Sequence, residues 1–373
     1  MVGGGPVGAS LARAARGLSV TLVAHQRPSA ALSESFDARV YALSPGNVAF
    51  LREIGAWQAM PHERLVPVHT MRIFGDRASS MEFDAYGAGV PELAWIVEDC
   101  VLQAALWRDL GVEVVAARCE SLSIDEDRAT LALEGGSTIS ARLIVGADGA
   151  NSFVRRQARI AAHDRDYGQG AVVANFHCMK PHGGVAYQWF QRGAVLALLP
   201  LPGDHVSMVW SLPTAEAKRI SGLKEEALSR EVEAAAHGVL GELALVTQPR
   251  SYALRRLAAE RMVAARVALA GDAAHVIHPL AGQGLNLGLQ DARTLAEVLY
   301  SREPQRDPGE LRLLRRYERG RAAPILAMDI MVDSLFRLFG AEHTFAARLR
   351  NAGLNLTDRL PVLKNMLMRQ AMT

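Results

Sequence analysis

Residues 267–291 read VALAGDAAHVIHPLAGQGLNLGLQD. Residues 267–270 have the length and composition of a buried strand, which ends just before Gly271 and Asp272. A glycine-rich loop at 278–284 follows, and a helix pattern starts at about Leu285. Glycines at the start of a helix let backbone N–H groups approach an anionic or carbonyl-rich ligand closely. The stretch therefore predicts a ligand that has a polyol or phosphate arm and a polar ring, with Asp272 accepting hydrogen bonds from hydroxyls.

Another glycine motif opens the chain, with the spacing G-x-G-x-x-G at Gly3, Gly5 and Gly8. A helix pattern over 9–16 and a strand over 20–23 come after it. In this order the glycines give a tight turn, room for a pyrophosphate at the helix N-terminus and close helix–strand packing. Because ordinary turns also contain such glycines, the helix and strand that follow are what favour a dinucleotide site.

Two features depart from the usual dinucleotide pattern. Only two residues precede Gly3, so the first strand is expected to be shorter than the usual ~5–6 residues. Ala24, His25 and Gln26 stand where an acidic residue normally holds the adenosine ribose. His25 or Gln26 could hydrogen-bond the ribose, but more weakly than a carboxylate, which lowers the expected affinity.

Composition limits the class of protein. The chain has 373 residues, 50% of them apolar and 21% charged, which is typical of a globular protein long enough for two domains. Its 41 basic and 39 acidic residues nearly balance, so no nucleic-acid partner is predicted. Cys100, Cys119 and Cys178 lie far apart, which favours reduced, buried thiols in the cytoplasm. We expect neither a signal peptide nor a transmembrane helix.

The middle and the end of the chain carry different patterns. Segments of alternating polarity separated by glycine and proline turns, at 171–178, 185–190, 194–199 and 206–212, predict an antiparallel sheet with one buried face. The chain after 291 is mostly helical, and prolines are expected to break it at 304–308 and again at Pro324. The predicted fold is α/β, with a Rossmann-like cofactor domain built from discontinuous pieces, an inserted antiparallel-sheet domain and a helical C-terminus.

Another motif, Gly146-Ala147-Asp148-Gly149-x-x-Ser152-x-x-Arg155, lies between the other two. In chain order, the motifs at 3–8, 146–155 and 271–291 are called the first, second and third motif. In this order the three resemble the FAD-dependent aromatic hydroxylases of the para-hydroxybenzoate hydroxylase type. The 271–291 motif is similar to the signature of the FAD-dependent ubiquinone-biosynthesis hydroxylases, as is the segment 36–43. The resemblance covers nearly the whole chain. It implies an FAD-binding domain at 1–75, 94–165 and 255–325, a substrate domain at 76–93 and 166–254, and a C-terminal helical region at 326–373.

The resemblance also implies roles for individual residues. The first motif would meet the pyrophosphate, Arg39 would lie near the phosphates and Gln103 would approach the cofactor. Asp148 belongs to a motif linked to both FAD and the nicotinamide donor. Asp272 would hold the ribityl chain and pyrophosphate region, and the backbone of 282–286 would face the isoalloxazine ring. The cofactor-binding residues expected in this way are Gly3, Gly5, Gly8, Arg39, Gln103, Asp148, Asp272, Gly282, Gln283, Gly284, Leu285 and Asn286.

The chemistry implied by the resemblance belongs to the cofactor. NAD(P)H reduces FAD, O2 adds to give a flavin hydroperoxide, and one oxygen atom goes to the aromatic ring of a polyprenylated phenol in ubiquinone biosynthesis. No side-chain nucleophile is needed, so no catalytic residue is assigned. The chain has a single G-x-G-x-x-G, so the donor is expected to bind transiently. His275 and His278 have no further ligand pattern beside them, so no metal site is predicted.

Several alternatives stay open at this level. The substrate could be a soluble aromatic acid, or the chain could be a degenerate flavoprotein that acts as a scaffold, as its short first strand and Ala24 suggest. Without the resemblance, Arg39 and Arg155 could equally be surface charges. The implied lipid-dissolved substrate leaves open a biosynthetic complex, self-association, and a cytoplasmic location at the inner face of a membrane. Ring position, tail length and the choice of NADH or NADPH stay open as well.

Overall fold

The computed structural model describes residues 1–29, 31–75, 79–191, 193–278 and 284–340. The predicted site residues Gly282 and Gln283 lie outside these ranges, as does 341–373 of the predicted C-terminal region. In chain order, the helices are α1 (Pro6–Ala14), α2 (Pro45–Glu53), α3 (Ala85–Ala88), α4 (Asp99–Trp107), α5 (Phe153–Gln157), α6 (Thr214–Ser221), α7 (Glu225–Ala235), α8 (Gly284–Tyr300) and α9 (Leu311–Gly340).

Twenty strands accompany these helices in the described ranges. They are β1 (Thr21–Val23), β2 (Val40–Leu43), β3 (Val66–Val68), β4 (Thr70–Phe74), β5 (Ser80–Asp84), β6 (Ala94–Glu98), β7 (Glu113–Val115), β8 (Cys119–Ile124), β9 (Ala129–Leu133), β10 (Thr138–Ala141), β11 (Ile144–Gly146), β12 (Ala162–Cys178), β13 (Val185–Gln191), β14 (Ala194–Leu201), β15 (His205–Pro213), β16 (Leu243–Leu245), β17 (Arg250–Ala259), β18 (Val263–Ala264), β19 (Val267–Leu269) and β20 (His275–Val276).

A parallel layer carries all three glycine motifs. β7 pairs with β1, and β11 pairs with β19, both in parallel. Val2 bridges the two pairs, because it is a parallel partner of both Val23 and Gly146 and its N–H donates to Val145 at 2.8 Å. The two residues before Gly3 thus take a central place in the layer and are bonded on both sides. The carboxyl ends of these strands open onto one edge, where ligands bind in folds of this kind.

The antiparallel sheet predicted for the middle of the chain is confirmed, and it is larger than expected, with β4 joining β13 in parallel. The expectation of a single buried face is wrong, because consecutive residues 170–176 of β12 are all buried. Nine strands belong to it, in the order β20-β17-β12-β15-β14-β13-β4-β5, with β16 also paired to β12. One face of β12, with Val172, Ala174 and Phe176, forms a second core that includes residues of α6 and α7. The alternation in the sequence predicts this face because side chains on a strand point in turn to opposite sides.

The predicted domain boundaries fall inside elements of this sheet. The boundary at 75/76 lies in the hairpin of β4 and β5, and both of these strands belong to the nine-stranded sheet. The boundaries at 165/166 and 254/255 lie within β12 and β17. The sheet therefore draws strands from ranges that the sequence assigned to different domains, and the division into domains stays a prediction.

The C-terminal helices differ from expectation at one proline. Pro304 and Pro308 lie in the connection between α8 and α9, as predicted, but the predicted break at Pro324 is wrong because α9 runs through it. Ion pairs on both sides of Pro324 hold α9 in place: Arg321 bonds Asp291, and Asp329 bonds Arg256. These contacts offset the missing backbone donor of the proline. Every helix in the described ranges is too short or too polar to cross a bilayer.

Candidate cofactor site

The three glycines of the first motif have different structural roles. Gly3 has φ +104°, and a Cβ there would lie 2.2 Å from the carbonyl oxygen of Ala147. A Cβ on Gly8 would lie 2.0 Å from the carbonyl oxygen of Gly3. By contrast, a Cβ on Gly5 would meet no atom of the described residues within 4 Å. Backbone packing therefore requires two of the glycines, and the third leaves open space at the uncapped N-terminus of α1, where an anion is favoured.

The second motif follows β11 and caps α5. Asp148 Oδ2 accepts from two backbone N–H groups at the start of α5, at 2.7 and 3.1 Å, and Ser152 Oγ accepts from a third at 2.9 Å. Asp148 Oδ1 is buried without a partner in the described part of the chain. The buried Arg155 guanidinium donates to the carbonyl of Ala273 at 2.7 Å. The reading of Arg155 as a surface charge is thus wrong, since this side chain ties the second motif to the third.

Val7 joins the first motif to the third. Its Cγ2 atom lies 3.0 Å from the place of a Cβ on Gly271 and 2.6 Å from the place of a Cβ on Gly288. These missing side chains let the start of α1 lie against both the turn after β19 and the first turns of α8. All three motifs consequently meet at one edge of the parallel layer.

Asp272 and Arg39 present opposite charges in this region. Both side chains are exposed to solvent but are surrounded by protein, as in a cleft. Desolvation raises the pKa of Asp272, against the opposing effect of His275 and Arg39. Desolvation lowers the pKa of Arg39, but the opposing effect of Tyr41, Asp99 and Asp272 outweighs it, so that the net shift is upward. A cation and a hydroxyl acceptor in one cleft suit a ligand that carries phosphates and a polyol.

A hydrogen-bond network lies beside Arg39. The Arg39 guanidinium stands over the Tyr41 ring, 5.4 Å from its centroid. The Tyr41 hydroxyl donates to Asp99 Oδ1 at 2.9 Å, and Gln103 Nε2 donates to Asp99 Oδ2 at 2.8 Å. Gln103 therefore acts on Asp99 within this network. Tyr41 and Asp99 were not predicted as site residues, although the i, i+4 spacing of Asp99 and Gln103 on α4 is a detectable signal.

The loop that carries Arg39 is anchored by a buried carboxylate. Glu98 is fully buried, and Arg64 bonds both of its oxygens at 2.7 Å. Glu98 Oε2 also accepts from the backbone N–H of Asp37 at 2.6 Å, and Asp37 Oδ1 accepts from the N–H of Arg39 at 3.0 Å. This chain of bonds fixes the backbone of Arg39. No sequence motif predicts this chain of bonds, because Glu98 and Arg64 meet only in the folded chain.

The start of α8 is fastened through Asn286. Its Oδ1 accepts from the N–H of Ser44 at 3.0 Å and from Asn47 Nδ2 at 2.9 Å, and its Nδ2 donates to the carbonyl of Ala42 at 2.8 Å. Leu285 packs against the main core, and a Cβ on Gly284 would meet no described atom within 4 Å. The Asn286 side chain is thus structural, and its backbone role toward a flavin ring stays a prediction.

A second buried carboxylate organises the third motif. Asp291 Oδ2 accepts from the N–H of Gly271 at 2.9 Å and from His275 Nε2 at 2.6 Å, while Oδ1 accepts from Arg321 Nε at 2.6 Å. Burial opposes ionisation, but the effect of His275 and Arg321 outweighs it and lowers the pKa of Asp291. His275 is therefore an internal partner of Asp291. The described residues contain no cluster of three or more potential metal ligands.

His278 lies at the end of the same segment. Its Nε2 is 3.0 Å from Gln169 Oε1, and Gln169 Nε2 donates to the carbonyl of Gly193, so His278 is the donor in this pair. Burial lowers the pKa of His278 to about 4. The imidazole is consequently neutral near pH 7, and it lies next to the stretch expected to face a flavin ring.

Ala24 occupies the position where an acidic residue usually binds the adenosine ribose. Ala24 is buried, and its Cβ would lie 2.9 Å from a Cβ on Gly4. Trp107 Nε1 donates to the carbonyl of Gly4 at 2.8 Å. Next to Ala24, His25 Nε2 lies 3.3 Å from the guanidinium of Arg118. The ribose role of His25 or Gln26 stays a prediction.

These residues fit FAD. The open space at Gly5, the uncapped start of α1, the buried Asp148 Oδ1 and the Arg39–Asp272 pair match a ligand with a pyrophosphate between two polyol-bearing halves. Gly3, Gly8, Asn286 and Gln103 shape the surrounding protein. The contacts of the individual residues with FAD stay predictions.

Comparison with known proteins agrees with this fit. The FAD binding domain family matches residues 1–328. Ubiquinone hydroxylase UbiL of Rhodospirillum rubrum is 34% identical over 100% of this chain and 88% of its own, and the 3-demethoxyubiquinol 3-hydroxylase of Escherichia coli is 33% identical over 100% and 97%. The fold is shared with Klebsiella pneumoniae HpxO, solved with FAD and uric acid, at TM-score 0.76 and 18% identity over 99% and 96% of the two chains. The chain therefore belongs to the FAD-binding family of flavin-dependent aromatic monooxygenases, together with hydroxylases of ubiquinone biosynthesis.

Proposed function

We propose that the protein hydroxylates the aromatic ring of a polyprenylated phenol in ubiquinone biosynthesis, with FAD as cofactor, NAD(P)H as donor and O2 as co-substrate. Two full-length relatives that are named for ubiquinone hydroxylation, each above 30% identity, support the pathway. When bound, FAD supplies the reduction and oxygen activation that the ring hydroxylation needs. The protein's part is to bind, orient and keep water out.

One observation carries the choice of an apolar substrate. A group of apolar side chains, here called the rim cluster, joins the nine-stranded sheet to both flanks of the 279–283 stretch. Its buried members are Phe190, Val195, Ile277, Leu287 and Val332, with Ile73, Met328 and Met331 packed against them. Since the backbone of 282–286 is expected to face the flavin ring, the cluster, which includes Leu287, would border the substrate. Methionines adapt to irregular apolar surfaces, which suits a prenylated ring.

Positioning falls to the residues described above. Asp291 and Arg155 hold the third motif, and Glu98 and Arg64 hold the loop of Arg39. The neutral His278 donates to Gln169 and so carries no charge toward the apolar cluster. The backbone N–H groups at the start of α8 would favour negative charge on the cofactor.

The location and the assembly state of the protein are part of the proposal. A lipid-dissolved substrate favours a cytoplasmic protein at the inner face of a membrane, either as part of a biosynthetic complex or as a homo-oligomer. The donor would bind transiently.

The test compares substrates on purified protein. We expect flavin absorbance near ~450 nm, the band of the cofactor in question, and NAD(P)H oxidation that is stimulated by prenylated phenols and yields hydroxylated product. Stimulation by small phenolic acids alone would instead identify a hydroxylase of soluble aromatic acids. Failure to bind FAD, with pathway activity intact in cells carrying Asp272→Ala, would favour a scaffold. Quinone intermediates that accumulate in cells lacking the protein would identify the ring position.

A further inference from the structure

The long helix α9 has two different sides. Its inward side is buried in the main core through Leu313, Leu314 and Tyr317. Farther along, Arg321 bonds Asp291, and Arg256 grips both oxygens of Asp329 at 2.7 and 2.5 Å. These contacts fix which side of α9 faces out.

The outward side changes from basic to apolar along its length. Residues three or four apart lie on one side of a helix, and the exposed positions of α9 follow this spacing. Leu326 is 58% exposed and Ile330 is 56% exposed, in contrast to the buried inward side. We call this surface the α9 outer face, and its exposed residues are Arg312, Arg315, Arg316, Arg319, Ala322, Ala323, Leu326, Ala327 and Ile330.

Charge on the α9 outer face is of one sign. Arg316 pairs with Glu303 at 3.1 Å, whereas Arg312, Arg315 and Arg319 have no carboxylate partner in the described part of the chain. The acidic residues of the same stretch are used elsewhere, since Glu318 accepts from the N–H of Met262 and Asp329 pairs with Arg256. A row of cations that continues into exposed Leu and Ile is the pattern of a helix lying on an anionic bilayer.

We propose that the α9 outer face is the surface by which the protein docks on an anionic lipid bilayer. The arginines would meet headgroups, and Leu326 and Ile330 would enter the boundary between headgroups and acyl chains. The choice of a bilayer as occupant rests on the proposed function, because a prenylated phenol dissolves in lipid. The inward side of α9 also contributes Met328 and Met331 to the rim cluster, so docking would bring the substrate region close to the bilayer.

The experiment is co-sedimentation of the full-length holoprotein with vesicles, without substrate. Vesicles contain either phosphatidylcholine alone or an equal mixture with phosphatidylglycerol. We expect binding to the anionic vesicles, and binding that weakens as salt increases. Leu326→Asn with Ile330→Asn should weaken it about tenfold or more, and Arg312→Gln with Arg315→Gln and Arg319→Gln about a hundredfold.

Matched controls remove equivalent groups elsewhere. Tyr86→Asn with Tyr300→Asn removes two other highly exposed large side chains, and Arg27→Gln with Arg128→Gln and Arg230→Gln removes three other exposed charges. Both controls should bind vesicles like the parent. Equal loss in test and control variants, or no vesicle binding by the parent, would overturn the proposal. A dimer that Leu326→Asn dissolves would show that a second copy covers the α9 outer face, and this would also overturn the proposal. Vesicle binding gained on truncation at 340 would overturn it as well, because residues 341–373 would then cover the face in the full-length protein. Flavin content and phenol-stimulated NAD(P)H oxidation in detergent test the proposed function separately.

Discussion

The side chain of Val7 lies where a Cβ on Gly288 would stand, with Cγ2 only 2.6 Å from that position. This single contact ties a helix at the start of the chain to one that begins at residue 284. Two motifs far apart in sequence are thereby made parts of one site.

The contact gives a first prediction. Gly288→Ala should destabilise the apoprotein by about 1–3 kcal/mol, because the added methyl overpacks against Val7. In the double variant with Val7→Ala the two effects should not add, with a coupling of roughly 0.5–3 kcal/mol. Urea unfolding measures both quantities. Gly87→Ala, where the nearest atom to a Cβ is 3.8 Å away, is the control. Strictly additive effects would mean that the two residues do not meet.

Gly5→Ala separates folding from cofactor binding. A methyl at this position meets no atom in the described part of the chain, so the apoprotein should lose at most about 1 kcal/mol, the scale of a changed helix N-cap. The affinity for FAD should fall about tenfold or more, because the methyl occupies the space at the N-terminus of α1. Flavin fluorescence titration and urea unfolding check the two halves. A Gly5→Ala protein that binds FAD like the parent would show that the pyrophosphate lies elsewhere.

Removal of the cation in the cleft should weaken FAD binding specifically. We expect Arg39→Ala to lower the affinity about tenfold, because it loses a charge-assisted bond in a partly solvated site. Arg39→Lys should lose less. Isothermal titration of apoprotein with FAD measures the effect, and Arg128→Ala, an exposed arginine between β8 and β9, is the control. An unchanged dissociation constant in Arg39→Ala would remove this residue from the cofactor site.

Asp291→Asn should destabilise the protein by about 3–5 kcal/mol, because it leaves Arg321 buried without its counter-charge. The pKa of Asp291 is lowered in the folded state, so its contribution is present above the unfolded pKa of about 3.9 and is lost as pH falls through the lower folded value. The difference between parent and variant should accordingly narrow as pH falls from about 5 to below about 4. Unfolding free energies across this range test it, with the exposed Asp125→Asn as control. A loss under about 1 kcal/mol at pH 7 contradicts the network.

His278 gives a pH dependence of its own. Its folded pKa of about 4 lies below the unfolded value of about 6.5. The contribution of His278 to the free energy of unfolding is complete above pH 6.5 and declines as pH falls. The unfolded chain then binds a proton at this imidazole, whereas the folded chain does not. Between pH 8 and 5 the parent should lose about 2 kcal/mol more than His278→Asn. Urea unfolding at the two pH values measures this difference. Equal losses in parent and variant would contradict a neutral buried imidazole, and the exposed His62→Asn should behave like the parent.

Local order along the chain was enough to predict much of this protein. The glycines at 3, 5 and 8, the strand before Asp272 and the alternation after 171 predicted an α/β fold with an antiparallel sheet, because turns, helix starts and buried faces depend on neighbouring residues. Nearly all of the expected site residues come from these motifs for the same reason. Three-dimensional packing overrode local propensity at Pro324, where ion pairs carry the helix through the proline.

Tertiary structure alone decided which distant residues meet. Glu98 with Arg64, Asp291 with Arg321, and Val7 with Gly288 are far apart in the chain and follow no periodicity. The same holds for the hairpin of β4 and β5 joining the large sheet, and for Val2 completing the parallel layer. A sequence gives the hydrogen-bond donors and acceptors, and each of them is costly to bury without a partner. Only the folded chain selects the partner of each group, because that choice depends on distances between segments, which the sequence does not contain.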